Sequence, residues 1–385
     1  MIFEHLAHIV AAPDVHLTDE PRHILLTDAT GFLGSFLLRD LLRNTSARIH
    51  CLVRGTDASD ARARLTTAAT WYETGADLDF DRIDIAVGDL AEPALGRDEG
   101  AFDELARVVD VVHHTGASVN WLYPYEALRP ANIAGTEEVL RLAARHRTIP
   151  VHYISSTGVH AQEPAEGRRI AVDDPIGPPE LLSNGYRQAK RIAEGIIDIA
   201  RSRGIPVSVY RVDVVSGDQV NGACQKQDFV WLSIRGMLEV GVAPAGISGF
   251  FHPTPVDYVS AAIRWLSSRI AGVGDTFNLS NPHRLHFTEI VERLRALGHT
   301  LVDLDPAEWS QSVCGSIRRT RCCRCSTSSK PRSRASGAIP TLTRTRRRWL
   351  RPAATSTAPG QRGTCWRGTW NSSPTRATSR SPAGK

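Results

Sequence analysis

Cysteine is scarce over most of this 385-residue chain. Only Cys51, Cys224 and Cys314 fall within residues 1–314, too few for a disulfide framework, and a reducing cytoplasm is the expected location. Long apolar runs are missing too: nothing approaches the ~18 apolar residues of a membrane-spanning helix, so no membrane association is expected. Met1-Ile2-Phe3-Glu4-His5 has no basic stretch ahead of an apolar one, which argues against a signal peptide. Acidic residues are absent from 315–385, where 17 Lys and Arg lie. The overall net charge of +5 therefore hides a main body with 29 basic and 41 acidic residues, a net of −12 over 1–314. That body carries no footprint for nucleic acid.

The same C-terminal stretch also lacks Val, Phe, Tyr and Met, and its large aliphatics are only Ile317, Ile339, Leu342 and Leu350. It cannot bury enough apolar area to offset chain entropy, so 314–385 is expected to be a basic, disordered tail. A nucleic-acid arm, or a metal at Cys322-Cys323-Arg324-Cys325, fits less well, because the thiols lack the paired spacing of a zinc site. No metal is expected. The favoured explanation is GC-rich DNA translated out of frame, which resequencing tests: an intact frame through residue 315 rules it out.

What is present is organised around His23-Ile24-Leu25-Leu26-Thr27-Asp28-Ala29-Thr30-Gly31-Phe32-Leu33-Gly34. A short apolar run enters a Gly-containing turn and then a helical pattern in which Phe32, Leu33, Phe36, Leu37 and Leu41 share a face. Such a strand–turn–helix unit offers a pyrophosphate the free amides of a helix N-terminus. After a lead-in over 1–21, strands are expected at Ile49–Val53, Ile83–Val87, Val108–His113, Val151–Ile154 and Val207–Tyr210. Helices are expected at 32–44, 58–69, 128–146 and 185–203. Alternation of this kind implies an α/β, doubly wound, Rossmann-type parallel sheet over 22–216. The alternation breaks after Gly217, so 217–313 is expected to form a smaller substrate-binding cap, left incomplete by the aberrant tail. It should hold helices at Asp228–Val240, Pro255–Ala271 and Phe287–Ala296 and a strand at Thr276–Ser280.

Three signals bear on a nucleotide. The first is the glycine turn. The second is Arg54 at the end of the second strand, where an arginine suits a 2′-phosphate and an acid would suit a free ribose hydroxyl. Arg64, or Arg62, could join it, with ordinary surface arginines as the alternative. The third is Gly88-Asp89-Leu90, where Asp89 is either an adenine contact or a turn residue. The catalytic signal is Tyr186-Arg187-Gln188-Ala189-Lys190: Tyr and Lys four apart share a helix face. An ammonium there can lower a tyrosine pKa from about 10 toward working pH and make it a general acid. Ser155-Ser156-Thr157, after the fifth strand, adds hydroxyls at the ligand-binding end of the sheet.

These motifs resemble the extended short-chain dehydrogenase/reductases, and among them the thioester reductase domains of nonribosomal peptide synthetases and carboxylic acid reductases. The resemblance spans about 22–313. It is carried by Leu25–Leu38, Cys51–Arg54, Gly88–Leu90, His114–Tyr125, Leu128–Thr136 with Asn132, Tyr153–Val159, Tyr186–Lys190 and Pro255–Tyr258. It implies NADPH as cofactor and, as partner, an acyl carrier protein whose phosphopantetheine-linked thioester is reduced to an aldehyde or alcohol. It implies Tyr186 as proton donor, Lys190 as its partner and Ser156, rather than Ser155 or Thr157, as the carbonyl contact. It implies cofactor contacts at Thr27, Ala29, Thr30, Gly31, Phe32, Leu33, Gly34, Arg54, Arg64, Asp89, Leu90, Gly116 and Ala117. His113, His114 and the Trp121–Tyr125 aromatics are expected to be packing or loop-anchoring groups. Two departures stand out: Asp28 replaces a glycine, which predicts weak NADPH binding, and Val212-Asp213 replaces Pro-Gly. A nucleotide-sugar epimerase or dehydratase on the same fold, and an inactive NADP-binding pseudoenzyme, are the alternative readings.

Overall fold

The computed structural model describes residues 9–160, 169–225, 227–246 and 249–309. The tail expected to be disordered, and its cysteine cluster, lie outside them. Seven parallel strands form one sheet: β1 (His23–Thr27), β2 (Arg48–Val53), β3 (Ile83–Val87), β4 (Val111–His114), β5 (Val151–Ser156), β6 (Val207–Val212) and β7 (Thr276–Leu279). Their order is β7-β6-β5-β4-β1-β2-β3, so the chain reverses its direction of travel between β1 and β4. That crevice, beyond the C-terminal strand ends, is where an open sheet of this kind receives ligands.

Both faces of the sheet are covered, which is why its strands are apolar almost throughout. Ile24, Leu26, Ile49 and Cys51 pack on one side with Leu37, Leu38 and Leu41 of α1 (Phe32–Asn44). Leu25, Val112, Val151 and Tyr153 pack on the other with Ala189, Ala193, Ile196 and Ile197. Helix α2 (Ala58–Trp71) follows β2 and is capped by Asp57, whose side chain accepts from the Asp60 amide.

A helix that the sequence pattern does not reveal, α3 (Glu99–Val108), joins β3 to β4. Asp98 caps it, and Phe102, Leu105 and Ala106 bury one face. Because α3 takes Val108, the expected strand Val108–His113 begins only at Val111. The expected helix 128–146 runs as α4 (Tyr125–Arg129), a π-helical turn at Pro130–Ala134, and α5 (Gly135–Ala143). Pro130 donates no amide, so the helical ladder must widen there. Helix α6 (Gly185–Ser202) starts from Asn184, whose side chain accepts from the Arg187 amide.

The stretch expected as a cap contributes α7 (Phe229–Val240), α8 (Val256–Ser267) and α9 (Phe287–Ala296). Two of its elements belong to the main sheet layers. Strand β7 pairs with β6, and Val259 and Ile263 of α8 share the core of α1. The expected division at residue 216 therefore does not coincide with the edge of the sheet. No helix among the described residues is long and apolar enough to cross a membrane.

Candidate active site

Thr27 ends β1 and ties the crevice together. Its Oγ1 lies 3.0 Å from Nδ1 of His114 and accepts from the Gly116 amide at 2.9 Å, while its carbonyl accepts from the Thr115 hydroxyl. His114 Nε2 lies 3.2 Å from Thr136 Oγ1, so one buried imidazole links β1, β4 and α5. Burial holds its pKa down to about 3, with Lys190 adding to the effect. His114 is thus a neutral anchor. Gly116 leaves room for this approach: a Cβ there would stand 2.3 Å from Leu90 Cδ1 and 2.9 Å from Thr27 Oγ1.

The turn into α1 has the shape of a phosphate loop. Gly31 donates to the Asp28 carbonyl at 2.9 Å, and a Cβ on Gly34 would stand 1.9 Å from that same oxygen. The first amides of α1 have no partners within the helix and carry the positive end of its dipole. A cleft of about 160 Å³ beside the turn is lined by Asp28, Thr30, Arg54, Asp89, Leu90, Gly116, Ala117 and Ser118. Six of the expected cofactor residues, Thr30, Arg54, Asp89, Leu90, Gly116 and Ala117, thus meet in one place. Ala29, Phe32 and Leu33 pack beneath it, Phe32 against Phe36 and Tyr72. Arg64 is exposed on α2 and does not line the cleft. Asn132 backs the same wall: its side chain accepts from the Ser118 amide at 2.6 Å and donates to the Ser118 carbonyl at 3.0 Å.

Across the crevice, Ser155 is buried and donates to Glu194, which forms a buried ion pair with Arg211 at 2.8 Å. Ser156 points the other way and remains partly exposed, its Oγ accepting from the Gly158 amide at 3.1 Å. Arg187, one residue past Tyr186, donates to the carbonyls of Gly158 and His160 at 2.7 and 2.8 Å. It clamps the loop after β5, which begins just past Ser156, onto the start of α6, which carries Tyr186. Sequence reasoning passes over it, although an arginine between Tyr and Lys is visible. At Gly185 a Cβ would stand 2.5 Å from the Tyr125 amide, so only glycine lets α6 begin against that loop.

Lys190 departs from expectation. Its Nζ donates to the Ile154 carbonyl at 2.6 Å and lies 4.7 Å from the centre of the Tyr153 ring. Burial pulls its pKa down to about 8 against the pull of Glu194 and Asp28. The expected lowering of the Tyr186 pKa is absent. Lost hydration pushes the phenol up, and Asp228 pushes it further. The reason is geometric: the ammonium is engaged with β5, and desolvation of a phenolate outweighs its field. Tyr186 is consequently protonated at neutral pH.

Expectations for the aromatic loop need a second correction. Trp121, Leu122 and Tyr123 are 44%, 93% and 53% exposed, and only Tyr125 packs on the core. The Trp121 ring stands 6.0 Å from that of Tyr186, on the rim of the crevice. His113 faces away, stacked 4.9 Å from His152, and both line a separate cavity of about 290 Å³ at the opposite end of the strands. Asp213, in place of the expected Pro-Gly, ties the loop after β6 to β7 by accepting from Ser280 Oγ at 2.9 Å. No cluster of His, Cys, Asp or Glu with the makings of a metal site occurs among the described residues.

A Rossmann crevice with a glycine turn on one side and Ser, Tyr and Lys on the other defines an NAD(P)-dependent reductase of the short-chain type. The family model described as "Male sterility protein", an NAD-binding domain, matches residues 26–263. A linear gramicidin synthase chain of Brevibacillus parabrevis is 43% identical over 291 residues, covering 75% of this chain and 6% of that protein. Glycine betaine reductase ATRR of Emericella nidulans is 37% identical, covering 76% of this chain and 23% of that protein. The terminal R domain of the myxalamid PKS-NRPS pathway superposes with a TM-score of 0.74 at 39% identity, covering 82% of this chain and 80% of that one. The chain therefore belongs to the NAD-binding male sterility family, among the terminal reductase domains of nonribosomal peptide synthetases in the extended short-chain dehydrogenase/reductase group. It spans 6% and 23% of the lengths of the gramicidin synthase chain and the betaine reductase.

Proposed function

We propose that this chain reduces a carrier-bound acyl thioester, with NADPH as hydride source, to an aldehyde or, after a second hydride, an alcohol. The carrying observation is Arg54 in the cleft, together with the Arg187 clamp that ties the loop after Ser156 to the helix start bearing Tyr186. Arg54 is the cation for a 2′-phosphate, and its planar fork favours NADPH over NADH. Bound there, NADPH supplies the hydride. Gly31, Gly34 and Gly116 fit a dinucleotide, because each keeps backbone where a side chain would collide; Asp28 is the one misfit.

Ser156 hydrogen-bonds the thioester carbonyl and holds it toward the nicotinamide. Tyr186, uncharged, gives its proton to the oxygen as negative charge develops there. Lys190, anchored on the Ile154 carbonyl, contacts the nicotinamide ribose. The resulting hemithioacetal collapses to the aldehyde and the free phosphopantetheine thiol. Domain similarity to peptide synthetase reductases supports an acyl carrier protein as partner, and the acidic body supports no nucleic-acid role. The scarcity of cysteine over 1–314 supports a cytoplasmic location.

The test is consumption of NADPH by the purified chain with an acyl-pantetheine thioester, together with Tyr186→Phe. Turnover lost in the variant supports the assignment. Turnover with sugar nucleotides instead would favour an epimerase or dehydratase, and binding without turnover of either would favour a pseudoenzyme.

A further inference from the structure

The proposed dinucleotide site contains one residue that opposes its ligand. Asp28 sits in the left-handed backbone region, φ 61°, where a glycine turn opens into α1. Its carboxyl folds over Gly31, so that a Cβ on Gly31 would stand 2.0 Å from Oδ2 and 2.8 Å from Oδ1. That is the notch a glycine-rich turn keeps free for a diphosphate. The carboxyl fills that notch beside Gly31, at the start of α1.

Charged and titratable groups reach it from each neighbouring element. Arg54 comes from the end of β2 and Lys190 from α6; Asp89 lines the same cleft after β3, and Tyr72 follows α2. Although part of Asp28 reaches solvent, lost hydration pushes it up to about 7, with Arg54 and then Lys190 pulling it down.

We propose that dinucleotide binding to this chain is coupled to proton uptake by Asp28, the diphosphate entering the turn only beside a neutral carboxyl. The inference rests on the cofactor reading above. A protonated Asp28 changes from a repelling anion into an O–H donor for a phosphate oxygen. In the free chain the carboxyl is ionised above its pKa, so binding there must recruit a proton. Affinity then falls by about tenfold per pH unit on the alkaline side and is flat on the acid side.

Calorimetry of the full chain with NADPH, in two buffers of different ionisation enthalpy from about pH 6 to about pH 9, reads the uptake directly. NADH serves as a second probe because the 2′-phosphate of NADPH itself titrates near ~6. Asp28→Asn and Asp28→Gly both tolerate a left-handed backbone, so the turn persists. The expected result is uptake approaching about one proton per dinucleotide at alkaline pH, abolished in both variants. Buffer-independent enthalpies in the parent chain, or equal uptake in Asp28→Asn, would overturn the proposal. So would a parent chain that stays silent even at about pH 6 while Asp28→Gly binds, since bulk rather than charge would then be the block. Failure of Asp28→Gly to bind at any pH would instead overturn the cofactor site itself, and the coupling with it.

Discussion

The two sides of the crevice are built to different standards. On the β5 side the polar groups that frame the reaction have fixed partners. Ser156 accepts from Gly158, Arg187 spans to the Gly158 and His160 carbonyls, and Lys190 holds the Ile154 carbonyl. On the β1 side the backbone frame is equally complete: Thr27, His114 and Gly116 interlock, and Gly31 donates to Asp28. Yet that side carries a carboxyl in the notch proposed above for a diphosphate. Aspartate tolerates the left-handed region better than most residues, so the turn survives the loss of its glycine. The cost falls on electrostatics and leaves the fold untouched.

Tyr186→Phe should give the largest effect and touch only the β5 side. Loss of a general acid lowers turnover by about 10²–10⁴-fold, while NADPH affinity measured by calorimetry should stay unchanged. Equal losses in both would show that the two sides are not separable. Asp28→Gly should act in the opposite sense and on the other side. Unit charges a few ångströms apart repel by about 1 kcal/mol in water and several at intermediate dielectric, so NADPH affinity measured at about pH 8, where Asp28 is ionised, should rise about tenfold. Unchanged affinity would mean that the carboxyl does not meet the diphosphate. Arg54→Ala should be milder and selective. It removes a charge-assisted contact worth about 1.5–3 kcal/mol, costing NADPH tenfold or more while leaving NADH nearly unaffected.

Much of this contrast was legible in the sequence, for reasons that particular residues show. Phe32, Leu33, Phe36, Leu37 and Leu41 recur at helical spacing, and α1 has the expected bounds. Arg54, Asp89, Leu90, Gly116 and Ala117 each follow a strand, and in a parallel sheet all such positions gather at one edge. Helix α3 was hidden because Val108 and Val109 run into Val111 and Val112 and read as one strand. The place of β7 was hidden because its pairing with β6 bridges a long irregular stretch that no local pattern encodes. The hold of β5 on Lys190 was invisible too, since spacing shows which face a side chain occupies but not which carbonyl it finds. Exposure of Trp121 and Leu122 ran against composition alone, which would bury them.

The smallest effect separates charge from ligand, because it needs no cofactor. The Asp28 pKa is raised from 3.8 to about 7 in the folded chain, so its ionisation favours unfolding. The folded chain therefore keeps its full stability below about pH 4 and loses some of it as pH climbs through about 7, relative to Asp28→Asn, which cannot ionise. A shift of that size corresponds to about 4 kcal/mol as a ceiling; the solvent-facing part of Asp28 screens it, leaving a difference of a few degrees in Tm at about pH 8. Thermal melts of the two chains should coincide below about pH 4, separate progressively between about pH 4 and about 7, and hold a fixed separation above that. Curves that stay parallel would mean that the carboxyl is already neutralised by Arg54 and Lys190, and the β1 side would then be as well paired as the β5 side.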